Sequence, residues 1–367
     1  MTTLRCLTFV ALAWLGACDG GKTTTGIPAT SDVLWSVQSP LKPTGSLIND
    51  VAATDALYFV GGALELAAMH FSDGTVAWKR SDVTSRPPLP VGDSLLVVLS
   101  AGESFGLRQQ DGATLWRATV PGTPTTVVPV LVGRYGVFAN YDGDLYAADV
   151  YTGAIRKLAG IGQLTAGEGQ VWGLAARGDT VLVLSQRATV ANGRLSLWLA
   201  RVLPASGTVV SSVEVPSPPN TFATTYPLLL SDSLLVATLA GSVGAINLRT
   251  NQWQWTAGRA NISSRVVIRD GRVYAGTGDG TLLVYDVVTG GVVRRMPLNL
   301  ASVADLFPCR EGIVFTSGAV YRVSEQSGAG VQTLVAHPST GSFAYSVWRT
   351  GVLGVSSSGI DVAVRCT

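Results

Sequence analysis

Four cysteines, two histidines and one close acidic pair are the side chains through which this chain could do chemistry. Asp142-Gly143-Asp144 offers hard oxygens of the kind that hold a divalent cation. It also falls where a hairpin turn is expected, and the turn is the role assigned here. Gly276-x-Gly278-x-Gly280 has the look of a phosphate-cradling loop, but it precedes a strand. The helix N-terminus that would hold the phosphate is missing. His70 precedes a turn and His337 precedes a proline, and neither stands at metal-ligand or triad spacing. No catalytic residue, metal or cofactor is therefore assigned. A net charge of +2, with no long run of one sign, excludes a phosphate-binding surface and so a nucleic-acid partner.

The cysteines sort by position. Arg5 and the apolar stretch Leu7–Leu15 form a targeting segment too short to cross a bilayer. Leu15-Gly16-Ala17-Cys18 resembles the bacterial lipobox, whose cysteine is lipid-modified and becomes the first mature residue; an ordinary secretory signal cut near Ala17 is the alternative. Acyl chains partition at roughly 0.8 kcal/mol per CH₂, so several of them anchor a protein firmly. The expected organisation is a signal peptide over 1–17, a polar Gly/Thr-rich tether over 18–31 and a single domain over 32–367. Asp19 follows the modified cysteine, a position that in enteric bacteria favours retention at the inner membrane; inner membrane, outer membrane and cell surface all stay open. Cys6 leaves with the signal and Cys18 is taken by lipid. Cys309, placed in a Phe307–Gly312 turn, and Cys366 remain in an oxidising compartment, where a disulfide between them is expected. Two unpaired buried thiols are the alternative.

These groups must be carried by an all-β frame. Charged residues make up only 14% of the chain and glycines number 42, which suits many short strands joined by tight turns. The organising stretch is Gly271–Arg294. It reads as a strand, an Asp279-Gly280 turn, a second strand, a Thr289-Gly290 turn and a third strand. The pattern recurs, each time with a turn followed four residues later by a marked position. These positions are Trp35, Trp78, Trp116, Lys157, Ser211, Trp255, Arg294 and Gln332, at spacings of 43, 38, 41, 54, 44, 39 and 38. Periods near 40 with four strands each indicate propeller blades. Val33–Gln38 is a lone last strand and Ala344–Arg365 a set of three first strands. Pairing them gives an eight-bladed β-propeller of four-stranded antiparallel blades, closed by its N- and C-terminal strands. A seven-bladed count, with the irregular fourth repeat miscounted, is the alternative.

Ala147-x-Asp149-x-x-Thr152-Gly153, Asp286-x-x-Thr289-Gly290 and the Gly-x-x-x-Trp spacing of Trp78 and Trp116 resemble the pyrroloquinoline-quinone (PQQ) repeat. Propellers of this kind include quinoprotein dehydrogenases and the BamB-like lipoproteins that assist β-barrel assembly in the outer membrane. The resemblance implies that Trp35, Trp78, Trp116 and Trp255 pack flat between blades. Lys157, Ser211, Arg294 and Gln332 depart from it, so four blade contacts must be filled otherwise. The dehydrogenases carry an adjacent cysteine pair over the quinone, and none exists here. The resemblance therefore implies a non-catalytic envelope lipoprotein that binds or scaffolds, monomeric, with a protein partner in the envelope. A PQQ-dependent dehydrogenase-like enzyme and a polysaccharide- or peptide-binding surface lipoprotein are the alternatives.

Proline-rich segments at 85–90, 121–124 and 216–219 are read as crossings between blades, because proline cannot continue a ladder. Gln186–Arg194 is read as a lengthened turn in the fourth repeat. Up-down topology puts both on one face, where Arg86, Arg187 and Arg194 form the candidate binding surface.

Overall fold

The computed structural model describes residues 33–38, 50–61, 65–83, 88–100, 102–125, 127–188, 195–216, 228–229, 233–239, 241–257, 261–309, 312–316, 320–324, 331–335, 343–348, 351–356 and 360–365. After β1 (Val33–Gln38), consecutive strands build seven antiparallel four-stranded blades. Blade one is β2 (Asp50–Ala53), β3 (Leu57–Gly61), β4 (Leu66–His70) and β5 (Val76–Arg80). Blade two is β6 (Leu89–Val91), β7 (Leu95–Ser100), β8 (Glu103–Arg108) and β9 (Thr114–Thr119). Blade three is β10 (Val130–Val132), β11 (Tyr135–Ala139), β12 (Leu145–Asp149) and β13 (Ile155–Ala159). The helix α1 (Ile161–Thr165) leads into blade four, made of β14 (Gln170–Arg177), β15 (Thr180–Ala188), β16 (Leu195–Leu203) and β17 (Thr208–Val215). Blade five is β18 (Leu228–Leu229), β19 (Leu234–Leu239), β20 (Ser242–Asn247) and β21 (Gln252–Thr256). Blade six is β22 (Val267–Arg269), β23 (Arg272–Gly276), β24 (Thr281–Asp286) and β25 (Val292–Pro297). Blade seven is β26 (Ala304–Cys309), β27 (Gly312–Thr316), β28 (Val320–Val323) and β29 (Val331–Val335).

The last strands, β30 (Phe343–Trp348), β31 (Gly351–Ser356) and β32 (Ile360–Arg365), form a four-stranded sheet with β1 in the order β1-β32-β31-β30. Trp35 stands opposite Ala363 and Val37 opposite Asp361. The expectation of an eight-bladed propeller is corrected here: the chain makes seven blades from consecutive strands, and the remaining sheet is a composite of β1 with β30–β32. The outer edge of β32 is paired by β1, which covers an edge that would otherwise be open.

Burial explains which strands read as continuous apolar runs. A blade that lies between two others is covered on both faces, so its middle strands have no solvent face. β3 and β7 are buried along their whole length. The outermost strands β5, β9 and β25 are exposed or half-buried along most of their length. The core is accordingly a series of seams between blades. One cluster joins Leu57, Phe59 and Trp78 of blade one to Leu96 and Val98 of blade two. Another joins Val236 and Trp255 of blade five to Leu283 and Tyr285 of blade six. Ala363 of the composite sheet packs with Val51, Tyr58 and Val60 of blade one.

The repeated D-x-x-T-G stretch is a five-residue turn between third and fourth strands. The backbone N–H of its last residue bonds back four residues, as Gly153 N to Asp149 O at 2.8 Å and Gly290 N to Asp286 O at 2.8 Å. The leading side chain gathers the next free amides: Asp286 Oδ1 accepts from Val288 N at 3.1 Å and Thr289 N at 2.8 Å. Asn247 does the same for Arg249 N at 2.9 Å and Thr250 N at 3.3 Å. These Thr289 bonds hold the Asp286 carboxyl below its ordinary range, so the turn keeps its anionic acceptor well into acid. The turn ends in the left-handed region, where glycine is least strained: φ is 76° at Gly153 and 69° at Gly290.

A β-bulge follows each such turn in the tryptophan blades. In blade one Met69 pairs with Val76 and Ala68 with Trp78, leaving Ala77 unpaired. Blades two and five repeat this around Trp116 and Trp255. The extra residue rotates the following side chain toward the next blade, and it sets the four-residue spacing seen in the sequence.

Three sequence expectations change. Pro90 lies inside β6 opposite Leu96, not in a crossing; a first strand carries its ladder on one side only, which leaves room for a residue without an N–H. Gln186, Arg187 and Ala188 belong to β15, opposite Leu197, Ser196 and Leu195. The polar stretch hid the strand because hairpin pairing extends it past its apolar run. Cys309 ends β26 opposite Gly312 rather than standing in a turn. Among the described residues no helix is long and apolar enough to cross a membrane.

Candidate functional site

The tryptophans are latches between blades. Trp78 Nε1 donates to Gln109 O at 2.6 Å, Trp116 Nε1 to Val150 O at 2.7 Å and Trp255 Nε1 to Val287 O at 2.9 Å. In each case the acceptor lies in the turn between third and fourth strands of the following blade. Each ring lies over the glycine of that turn. A Cβ built at Gly112, Gly153 or Gly290 would stand 2.8, 2.6 or 2.4 Å from the ring of Trp78, Trp116 or Trp255. Opposite each ring on its own blade sits a small residue, Ala68, Gly106 or Ala245. The side chain of Trp35 lies outside the described residues.

Where tryptophan is missing, the seams are filled by other means. At the blade four to five seam, Ser211 takes the tryptophan position, and Arg201 stands opposite it on β16 where a small residue would be. The Arg201 guanidinium donates to Leu248 O and, at 2.6 Å, to Asn251 Oδ1. Leu248 O is the counterpart of the carbonyls that receive the indole N–H groups. Asn251, with φ 58°, stands where the other turns have glycine. Tryptophan and glycine are thus replaced together by arginine and asparagine. Arg201→Ala is expected to leave that carbonyl and amide unmet and to cost about 1–3 kcal/mol, read from urea unfolding midpoints; lysine, lacking the planar fork, should restore only part. At the blade three to four seam, Lys157 turns outward to Asp144 Oδ2 at 2.6 Å, and Leu164 of α1 is buried in the gap. Ser212 Oγ fixes the helix by donating to Leu164 O at 2.6 Å. At the blade six to seven seam, where Arg294 replaces tryptophan, Arg269 donates to Cys309 O and, at 3.1 Å, to Gly312 O. In blade seven Gln332 accepts from Arg322 Nη2 at 2.8 Å.

The groups singled out for chemistry are engaged in structure. Asn140 Oδ1 accepts from Asp144 N at 2.9 Å, and Asn140 Nδ2 donates to Asp142 Oδ2 at 3.2 Å. Among the described residues no three His, Cys, Asp or Glu side chains gather as a metal site. With the Asp142–Asp144 hairpin closed on itself and no adjacent cysteine pair in the sequence, the residues do not fit the calcium and quinone of the dehydrogenase propellers. Gly280, with φ 77°, closes a turn against the Leu300 backbone, and Gly278 lies under the Asn261 amide, so the glycine-rich stretch is packing. His70 ends β4 and is exposed. His337, Cys18, Cys366, Arg86 and Arg194 lie outside the described residues. Arg187 is half-buried with its guanidinium over Gly167, and it is the one of the three candidate arginines among the described residues. Cys309 is 3% exposed and carries a disulfide whose other half is outside the described residues.

One groove was not foreseen. It lies between β21 of blade five and β24–β25 of blade six, measures about 570 Å³, and is lined by polar residues including Thr256, Asn261, Asp279 and Arg295.

Four-stranded meanders with Asp-capped turns and tryptophan latches define a β-propeller of PQQ-like repeats. A family model described as outer membrane protein assembly factor BamB matches residues 26–169 and 163–296, and the chain belongs to that family. No curated protein matches it. Among solved structures, BamB from Moraxella catarrhalis superposes with a TM-score of 0.68 at 14% identity, covering 92% of this chain and 99% of that one. The computationally designed protein Ika8 gives 0.64 at 15% identity, covering 91% and 99%. Sqt1 from Saccharomyces cerevisiae gives 0.62 at 13%, covering 92% and 97%. At such identities the likeness is one of fold.

Proposed function

We propose that this protein is a non-catalytic, lipid-anchored propeller of the cell envelope that takes part in outer-membrane protein assembly by binding a protein partner. The observation that carries the reading is the family match over residues 26–296. Two further features support it. The side chains at the seams hold blades together, and the Asp142–Asp144 hairpin is closed on itself. Depleting the protein in its host should lower the amount of folded β-barrel proteins in the outer membrane, measured by heat-modifiable mobility in gels. Unchanged barrel levels on full depletion would count against the role.

The anchor is the lipobox cysteine. Cys18→Ser should move the protein out of the membrane fraction or block its processing, because the acyl chains supply the membrane affinity. A wild-type protein that fractionates as soluble would contradict this.

Cys366 is the partner proposed for Cys309. It directly follows β32, the strand that β1 joins to close the fold. A bond there would pin the C-terminal strand to blade seven, and closing a loop of this length is worth roughly 4 kcal/mol in the chain-entropy model. Mass spectrometry of the non-reduced mature protein should find no alkylatable thiol at either position; two free thiols would overturn the pairing.

A further inference from the structure

The groove between blades five and six has a rigid polar end. Asn261, with φ 51°, accepts from Gly278 N at 2.9 Å through its carbonyl. Ile262 bridges both Gly241 and Thr277, and Ser263 Oγ donates to Val303 O at 2.8 Å. The segment is therefore tied to two blades before any ligand arrives, which lowers the ordering cost of binding. Asp279 leads the Asp279-Gly280 turn at this end, and the Thr277 hydroxyl hydrogen-bonds its Oδ1. Arg295 stands on β25 opposite Leu283, on the groove-facing side of the sheet. Leu283, Tyr285 and Val292 supply an apolar wall.

The groove presents the polar side chains of Thr256, Asn261, Asp279, Thr281 and Arg295. β24 is paired on both sides, by β23 and β25, so its own ladder is complete, and only the outer strands β21 and β25 end their sheets. Carboxylate, amide and guanidinium are planar groups that suit adjacent hydroxyls, each hydroxyl both giving and accepting a hydrogen bond. A ligand with one net charge would meet one of Asp279 and Arg295 unfavourably, whereas a neutral polyol satisfies both. The volume falls within the roughly 300–1,000 Å³ of small-molecule sites.

We propose that this groove binds a short neutral saccharide of one or two rings, its hydroxyls held by Asp279, Asn261 and Arg295 and its C–H face against Leu283 and Val292. The proposal stands independently of the assembly role. The test is saturation-transfer NMR on the full mature protein with maltose and N,N′-diacetylchitobiose, and with trialanine and glutamate as controls. Transfer to at least one saccharide is expected, with marked weakening in Asp279→Asn and in Arg295→Gln. Asp279→Asn keeps a favourable Asn-Gly turn, and Arg295 is exposed, so both variants should melt like the wild type. Absence of transfer to both saccharides, equal transfer in wild type and variants, or transfer to trialanine or glutamate alone would overturn the proposal.

Discussion

Trp116→Ala should destabilise the protein by about 3–5 kcal/mol, the range for emptying a buried tryptophan site. The ring is 9% exposed and lies between Gly106 of its own blade and Gly153 of the next. Neither glycine has a side chain that could relax into the space, so the cavity should persist. The loss also strands Val150 O, which receives the indole N–H. Trp116→Phe should recover much of the packing but not that hydrogen bond. Urea unfolding followed by far-UV circular dichroism gives the midpoints. A midpoint for Trp116→Ala within error of the wild type would show that the seams are not held by these rings.

The second large effect is expected at the other half of the latch. Gly290→Ala puts a Cβ 2.4 Å from Trp255 Cδ2 and places an L residue at φ 69°. The left-handed conformation costs roughly 1–2 kcal/mol and overpacking a further 1–3 kcal/mol or so, giving about 3 kcal/mol in all. Gly207 provides an internal control. It has φ 77°, but its preceding blade carries Lys157 instead of tryptophan, and a Cβ there would meet nothing nearer than 3.9 Å. Gly207→Ala should therefore lose only the backbone part, about 1–2 kcal/mol. Equal losses at Gly290 and Gly207 would mean that the ring contact contributes nothing. Trp255→Ser and Gly290→Asn combined with Ala245→Arg should be less damaging than the sum of its parts, because Arg201 joins Ser211 and Asn251 in that way at the neighbouring seam.

The repeat and its turns were open to sequence reading because their chemistry is local. An Asp that gathers the next amides, a Thr, and a glycine at positive φ all lie within five residues, so spacing alone reveals them. The composite closing sheet followed from a strand left over at each end. What escaped was set by contacts between blades. The bulge before Trp78 leaves no mark except the four-residue offset. Arg201 could not be recognised as a latch, because its partners Leu248 and Asn251 are 47 and 50 residues away. The signal was present in pairs: Ser211 lacks tryptophan and Asn251 lacks glycine, and only the ring-on-glycine contact shows why both should change. The groove was invisible for the same reason. Thr256 and Asn261 are unremarkable beside Asp279 and Arg295 until two blades bring them together.

The most direct test of the proposed role is affinity purification of the full lipidated protein, cross-linked in its native envelope, with quantitative mass spectrometry against an unrelated lipoprotein carrying the same tag. Selective enrichment of the membrane-embedded component of the β-barrel assembly machinery is the expected result. Correct membrane localisation without enrichment of any assembly component would contradict the role.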